Sequence, residues 1–196
     1  MSNIQAYPWE APISEPAATL AGRFSQLVPE LVTQRLTLRA PTLADFPAYA
    51  EILMGDRAEG LDGPFDREAA LLDFSQYVAG WLLRGTGLWA VERRSDEALL
   101  GFVLVGMEYS DQEPELGYLF TEAGEGQGYA TEAAAAARDF ALRDLQLPVL
   151  VSCVDPANTS SARLAERLGA HLDVAASDAD TQIWRHAPVV SKGPLS

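Results

Sequence analysis

The segment that most constrains the fold is a glycine-rich run, Gly124 to Gly128, followed directly by an alanine-rich stretch. Residues 115–121 before it are largely apolar and typical of a strand, and residues 131–146 after it are dominated by alanine, the strongest helix former. Glycines in such a turn let the backbone come close to a ligand because no Cβ intervenes. The sequence therefore predicts an α/β fold built around a strand–turn–helix unit.

The same turn is a candidate anion site. The N-terminus of the following helix offers unpaired N–H groups and the positive end of its dipole, a combination that suits a pyrophosphate. Thr131 adds a hydroxyl in the first turn of that helix. The run lacks the Lys-Ser/Thr of a P-loop and does not fit G-x-G-x-x-G, so on the glycines alone an ordinary structural turn is the favoured interpretation.

Hydrophobic periodicity and turn residues divide the rest of the chain into alternating elements. The predicted order is β-α-α-β-β-β-α-β-α-β-β, an α/β (α+β) domain with a mixed sheet. The predicted ranges are strand 31–40, helices 42–54 and 66–82, strands 88–94, 98–109 and 115–121, helix 131–146, strand 148–154, helix 158–168, and strands 170–176 and 180–187.

The 196 residues suffice for one domain with extensions. We expect residues 1–30, which prolines punctuate, to be an N-terminal extension, residues 31–187 to be the folded domain, and residues 188–196 to be a C-terminal tail. No run of about 18 apolar residues is present to span a membrane, no signal-peptide pattern opens the chain, and its single cysteine cannot form an internal disulfide. A cytoplasmic enzyme or binding module is expected, and the extension leaves a homodimer open.

Charge narrows the class of partner. Fourteen basic against 28 acidic side chains give a net charge of −14, which disfavours binding to a nucleic-acid backbone. An acidic surface attracts cationic substrates, although it also serves solubility or adaptation to salt. Loop 55–64 carries three of the acids, which suits a cationic acceptor but fits an ordinary solvated loop equally well: Asp56, Glu59 and Asp62.

Three further positions are candidates for chemistry. Asn158 is a plausible helix N-cap, and Ser161 lies in the first turn on the same side of that helix. Glu115 interrupts an apolar strand, and is therefore either an exposed strand residue or a general base at the mouth of a cleft, which geometry must decide. Cys153 is expected to be a small buried residue rather than a nucleophile, because no histidine neighbours it in sequence.

Taken together, these segments resemble the GCN5-related N-acetyltransferase (GNAT) superfamily, and most closely its branch that acetylates the N-termini of ribosomal proteins. The opening strand resembles T-x-R-L-x-L-R, the fourth strand resembles E-x-G-Y, the glycine-rich turn resembles [RQ]-x-x-G-x-[GA] followed by T-E-A, and the last helix resembles N-x-x-S. Those pieces are residues 33–39, 115–118, 125–133 and 158–169, so the resemblance covers about 31–187.

The resemblance implies that acetyl-CoA lies in a gap between strands 115–121 and 148–154, and that no metal is needed. Backbone groups of Phe120 and Thr121 would pair with the pantetheine arm, and Asn158 would hydrogen-bond it. The backbone amides of three residues would hold the pyrophosphate, with the Thr131 hydroxyl beside them: Gly126, Gly128 and Ala130.

It also implies direct attack of a primary amine, from a protein N-terminus or a small molecule, on the thioester. Glu115 would be the base, Ser161 would protonate the leaving thiolate, and helices 42–54 and 66–82 with loop 55–64 would form the acceptor wall. A CoA-binding module without catalysis and a different nucleotide-binding α/β enzyme are the alternatives.

The chain departs from the family pattern at three points. Glu125 stands where the loop usually has Arg or Gln, and Ala165 stands where many members have a tyrosine acid, which leaves that role to Ser161. The loop has no lysine or arginine, so Arg138 or Arg163 would have to meet the 3′-phosphate.

Overall fold

The structure, a computed structural model, describes residues 7–55, 63 and 65–187. The three loop acids Asp56, Glu59 and Asp62, and the C-terminal tail predicted at 188–196, therefore lie outside the described residues.

Within these ranges, eight strands form one mixed sheet in the order β1-β2-β3-β4-β5-β6-β8-β7. Neighbouring strands are antiparallel except β5 and β6, which are parallel. The strands are β1 Leu31–Val32, β2 Leu36–Arg39, β3 Leu88–Arg93, β4 Ala98–Gly106, β5 Glu115–Phe120, β6 Val151–Val154, β7 His171–Leu172 and β8 Gln182–Arg185. The predicted mixed α/β sheet is confirmed.

The helices cover both faces of this sheet. They are α1 Ala17–Ser25, α2 Phe46–Met54, α3 Arg67–Arg84, α4 Tyr129–Asp139 and α5 Thr159–Arg167. Leu116 and Phe120 of β5 belong to the core that contains the buried alanines of α4, whereas Leu119 belongs to the core that contains Phe46 and Phe74 of α2 and α3. Because successive strand residues alternate between faces, β5 contributes to two separate cores.

Several predicted boundaries are corrected. The strand expected at 31–40 is two short strands, because Thr33 and Leu36 close a tight turn in which each backbone N–H is bonded to an oxygen of the other residue. The strand expected at 148–154 begins only at Val151, and α4 begins two residues earlier than expected, at Tyr129. A π-helical turn, Phe140–Asp144, follows α4 directly.

The described part of the N-terminal extension docks through few side chains. Trp9 meets the Phe46 ring edge-on at 5.1 Å, and Arg67 forms two hydrogen bonds of 2.7 and 2.6 Å to the Glu10 carboxylate. Three apolar residues of the extension are more than half exposed and do not dock: Leu20, Phe24 and Leu27. None of the described helices has the length and apolar character needed to cross a membrane.

The contact between β4 and β5 gives a stability prediction. An added Cβ at Gly101 would lie 2.3 Å from the Leu119 carbonyl oxygen and 2.8 Å from the Phe120 Cα. Gly101→Ala should therefore lower the free energy of unfolding by about 2 kcal/mol, the cost of forced overpacking. Gly22→Ala is the matched control, since its Cβ would meet nothing within 4 Å, and it should cause no loss. Urea denaturation measures both, and equal stability of the two variants would contradict the prediction.

Candidate active site

The central feature of the site is a gap between β5 and β6. The two parallel strands pair at one position only, Glu115 opposite Val151, where the Val151 N–H donates to the Pro114 carbonyl at 3.0 Å. In contrast, β6 pairs with β8 along all four of its residues. Beyond this single position the two strands no longer pair, and the second half of β5 and α5, which follows β6 in the chain, line a cavity of about 350 Å³.

This cavity collects most of the residues that sequence analysis predicted for the site. Its walls come from β5, the glycine-rich turn, α5 and one residue of α2, Ile52. The predicted residues among the lining are Phe120, Gly126, Gly128, Ala130, Thr131, Asn158 and Ser161. Two predicted residues, Thr121 and Glu115, are not part of the lining.

The glycine-rich turn has the backbone geometry that its sequence predicted. Gly126 and Gly128 have φ of +71° and +77°, in the left-handed region that residues with a Cβ seldom adopt. Gly128 immediately precedes α4, and the first turn of α4 carries backbone N–H groups without helical partners. Two residues of that turn, Ala130 and Thr131, line the cavity. The arrangement suits an anionic group held by backbone N–H donors.

A clamp of two side chains, Arg35 and Glu132, fixes this turn to the edge of the sheet. Arg35 Nε donates to Glu132 Oε2 at 2.6 Å, and its NH1 donates to the Gln127 carbonyl at 2.9 Å. Thr33 Oγ1 donates to Glu132 Oε1 at 2.6 Å. Burial favours the neutral acid, yet these hydrogen bonds outweigh it and hold the pKa of Glu132 below its ordinary value. Sequence analysis gave these residues no role beyond the family pattern.

Asn158 and Ser161 form the opposite wall. Asn158 Oδ1 accepts the Ser161 N–H at 3.0 Å and the Ser160 hydroxyl at 2.8 Å, so the predicted N-cap is confirmed. Tyr118 reaches across the gap from β5 and donates its hydroxyl to the Ser161 carbonyl at 3.0 Å. Burial raises the pKa of Tyr118 to about 12, so it is a neutral donor. From the sequence, Tyr118 was expected only as part of an apolar strand and of the E-x-G-Y resemblance, with no role in the site.

Glu115 lies at the closed end of the gap and is half-buried, so it is not the exposed strand residue that one interpretation expected. Its Oε1 accepts the Cys153 N–H at 3.2 Å. Burial raises the pKa of Glu115 to about 7; the Cys153 N–H opposes this, while the carboxylates of Asp111 and Glu108 add to it. A carboxyl group of this kind exchanges a proton near neutral pH.

Cys153 corrects the prediction that it would be buried, because it is exposed. The two helices on that face of the sheet, α2 and α3, pack on β3 and β4, away from Cys153. Although the residue is exposed, neighbouring protein atoms partly shield the thiol from water, and this desolvation together with the adjacent Glu115 carboxylate raises the pKa of Cys153 to about 12. The thiol therefore stays protonated at neutral pH and is a poor nucleophile.

Two further expectations change with the geometry. Thr121 turns toward β4, since both its N–H and its hydroxyl donate to the Leu100 carbonyl at 3.0 Å. Arg138 is engaged with Asp139 and the Leu168 carbonyl, whereas Arg167, which sequence analysis did not name, lines the cavity. Arg163 is exposed on the same helix as Arg167.

Comparisons with known proteins agree with this architecture. Residues 35–171 match the acetyltransferase (GNAT) domain family. An acetyltransferase from Agrobacterium tumefaciens strain C58 is 40% identical, with a TM-score of 0.78 over 82% of this chain and 95% of that chain. RimL, a ribosomal alpha-N-protein acetyltransferase solved in complex with coenzyme A, is 19% identical, with a TM-score of 0.63 over 81% of this chain and 96% of that chain, and shares the fold.

A curated relative, the uncharacterized protein YkkB of Bacillus subtilis, is 36% identical over 89 residues, or 44% of this chain and 52% of YkkB. The chain thus spans about half the length of the curated relatives it matches. The family match covers well over half of the chain, and the residues that line the cavity all fall within the matched range. The chain belongs to the GNAT acetyltransferase family.

Proposed function

We propose that the protein is an N-acetyltransferase that moves the acetyl group of acetyl-CoA to a primary amine. The observation that carries this proposal is the cavity of about 350 Å³ at the point where β5 and β6 separate. One wall offers backbone amides at a glycine-rich turn, and the other offers the side chains of Asn158 and Ser161. RimL, which has the same fold, was solved with coenzyme A bound.

The residues of the cavity fit the parts of acetyl-CoA. The amides of Gly126, Gly128 and Ala130, with the Thr131 hydroxyl, would hold the pyrophosphate at the positive end of α4. Asn158 uses its Oδ1 as a helix cap, which leaves its amide N–H groups to donate to the pantetheine arm, alongside the backbone of Phe120. Arg167 and Arg163 are the basic side chains nearest to this wall and would meet the 3′-phosphate.

Glu115 would act as the base that prepares the acceptor. An amine must lose a proton before or during attack on the thioester carbonyl, and a carboxylate whose pKa lies at about 7 can take it, directly or through a water. A backbone N–H of β5 would stabilise the developing oxyanion, and the Ser161 hydroxyl at the cavity wall would protonate the leaving thiolate. The step forms the C–N bond of the amide while the C–S bond of the thioester breaks. The amine proton passes to Glu115 and from there to solvent, and Ser161 regains from solvent the proton that it gives to the thiolate, so no covalent enzyme intermediate is needed.

The proton balance favours an α-amino group over a lysine side chain. An α-amino group has a pKa of about 7.7–8.0, so moving its proton to a base with a pKa of about 7 is unfavourable by roughly tenfold or less. A lysine, with a pKa of about 10.4, makes the same transfer unfavourable by about 10³-fold. We therefore favour a protein N-terminus or another amine of low pKa as the acceptor.

The charges near Glu115 fit a cationic acceptor. The negative charges of Asp111 and Glu108 add to burial in raising the pKa of Glu115. Tyr77 of α3 donates its hydroxyl to Glu108. Asp73, one turn earlier on α3, accepts the Tyr49 hydroxyl, and burial raises its pKa. Glu108 contacts α3 and Asp73 belongs to it, the side where the acceptor wall was predicted, and these acids would attract an ammonium group.

Removal of the two proposed catalytic groups tests the reaction. Glu115→Gln should lower kcat/KM about 10²-fold or more because the base is lost, and Ser161→Ala should lower kcat by a comparable factor because the leaving thiolate is no longer protonated. Thiol release with a panel of amines measures both. Glu30→Gln, an exposed position just before β1 and outside the proposed site, is the matched control and should retain full activity.

Titration calorimetry with acetyl-CoA, ATP and NAD completes this test. Binding of acetyl-CoA without transfer to any amine would favour a CoA-binding module, and preference for ATP or NAD would favour a different nucleotide-binding enzyme. If Glu115→Gln and Ser161→Ala transfer acetyl groups as fast as the wild type, the roles proposed for them are wrong.

The pH dependence of kcat/KM gives a separate prediction. Below a pKa of about 7 the Glu115 carboxylate is protonated and cannot act as base, so kcat/KM should fall about tenfold for each pH unit below it. The amine titrates as well, so two acceptors whose pKa values differ should be compared. In the pH profile of kcat/KM, the fall caused by protonation of Glu115 should stay near pH 7 for both acceptors. If the whole fall moves with the pKa of the amine, Glu115 is not the base.

A further inference from the structure

The separation of β5 and β6 begins at one specific rung of their ladder. With Glu115 opposite Val151, the next hydrogen bond of a regular parallel pair would run from the Cys153 N–H to the Leu116 carbonyl. Both groups have side-chain partners instead. The Cys153 N–H donates to Glu115 Oε1 at 3.2 Å, and the Leu116 carbonyl accepts the Ser152 hydroxyl at 2.7 Å.

Ser152 is itself held by His186, which follows β8. Ser152 Oγ lies 3.0 Å from His186 Nε2, and the two residues are only 2% and 4% exposed. The one hydroxyl proton of Ser152 goes to Leu116, so Nε2 must carry a proton and donate to Oγ. Burial, with the nearby Arg138 charge, lowers the pKa of His186 to about 4, so the ring is neutral at physiological pH.

We propose that Ser152, oriented by His186, is a positioning residue that keeps β6 from pairing with β5 beyond Val151 and so sets the width of the cofactor cleft. The proposal rests on the proposed function for its activity readouts. The Ser152 hydroxyl donates to the Leu116 carbonyl, which the Cys153 N–H would bond in a regular parallel ladder. The same arrangement leaves the Cys153 N–H to orient the Glu115 carboxylate.

A catalytic role for Ser152 itself fits the geometry poorly. The side chain is buried in the sheet on the side of Leu116 and Leu150, which belong to the core under α4, whereas Glu115 lies on the opposite face. Ser152 does not line the cavity, and its proton is committed to a backbone carbonyl. A hydroxyl in this position shapes the backbone and does not meet a substrate.

Ser152→Ala tests the proposal. Without the hydroxyl, the Cys153 N–H can bond the Leu116 carbonyl and close the next rung, which narrows the cleft. We expect the Kd for CoA, measured by titration calorimetry, to rise about tenfold, which corresponds to about 1.4 kcal/mol of binding free energy. Ser152→Thr keeps the hydroxyl and should restore most of the affinity. Val91→Ala, a buried truncation in β3, is the control for general loss of stability and should bind CoA as the wild type does.

A second readout separates positioning from mere destabilisation. If the Cys153 N–H bonds the Leu116 carbonyl instead, Glu115 loses a hydrogen bond that lowers its pKa. Burial and the charges of Asp111 and Glu108, which raise that pKa, remain. The acid limb of kcat/KM should therefore move to higher pH in Ser152→Ala and not in Val91→Ala. Should Ser152→Ala fold poorly, Ser152→Cys, whose thiol is a weaker donor, should show the same changes to a smaller extent.

The outcomes distinguish this proposal from the proposed function. If the wild type binds CoA but acetylates no amine, the enzymatic function fails and the Kd series still decides the role of Ser152. If Ser152→Ala binds CoA with the affinity of the wild type and keeps its acid limb, the positioning role is overturned whatever the activity. Equal losses in Ser152→Ala and Val91→Ala would also overturn it.

Discussion

The site depends on the early end of one parallel strand pair. A parallel ladder normally continues as long as both strands supply backbone groups, because unpaired N–H and C=O groups in the interior are costly. Here β5 and β6 separate after one position, and side chains of Glu115 and Ser152 take up the two backbone groups of the next rung. The sheet thereby opens a cavity in its middle while those two groups stay satisfied.

The wall of that cavity is held from outside by the clamp of Arg35 and Glu132. The glycine-rich turn has two residues at positive φ and has no side-chain cap on α4, so its own sequence gives it little rigidity. Arg35 bonds both the Glu132 carboxylate and the Gln127 carbonyl and lies 4.5 Å from the centre of the Tyr129 ring. The turn before β2 thus fixes the backbone amides that are proposed to bind the pyrophosphate, and such pre-ordering would reduce the entropy lost on binding.

Local sequence signals predicted the order of elements, the glycine-rich turn and the Asn158 cap, since each depends on residues close together in the chain. They could not predict the bond between Ser152 and His186, which are 34 positions apart and meet only through the register of β6 on β8. Cys153 was predicted wrongly because its exposure depends on how far α2 and α3 extend over the sheet, which no local pattern encodes.

The acidity of the chain explains why the site uses so many neutral donors. A net charge of −14 repels the phosphates of CoA, and Glu125 brings a further carboxylate to the cavity wall. Backbone amides and the dipole of α4 attract anions without adding a mobile charge, and among the described lining residues only Arg167 is basic. In the proposed reaction the acids on the side of α3 would attract an ammonium acceptor, and the charges of Asp111 and Glu108 add to the burial that raises the pKa of Glu115 to about 7. One charge distribution would then weaken the attraction of the acyl donor and strengthen the capture of the amine.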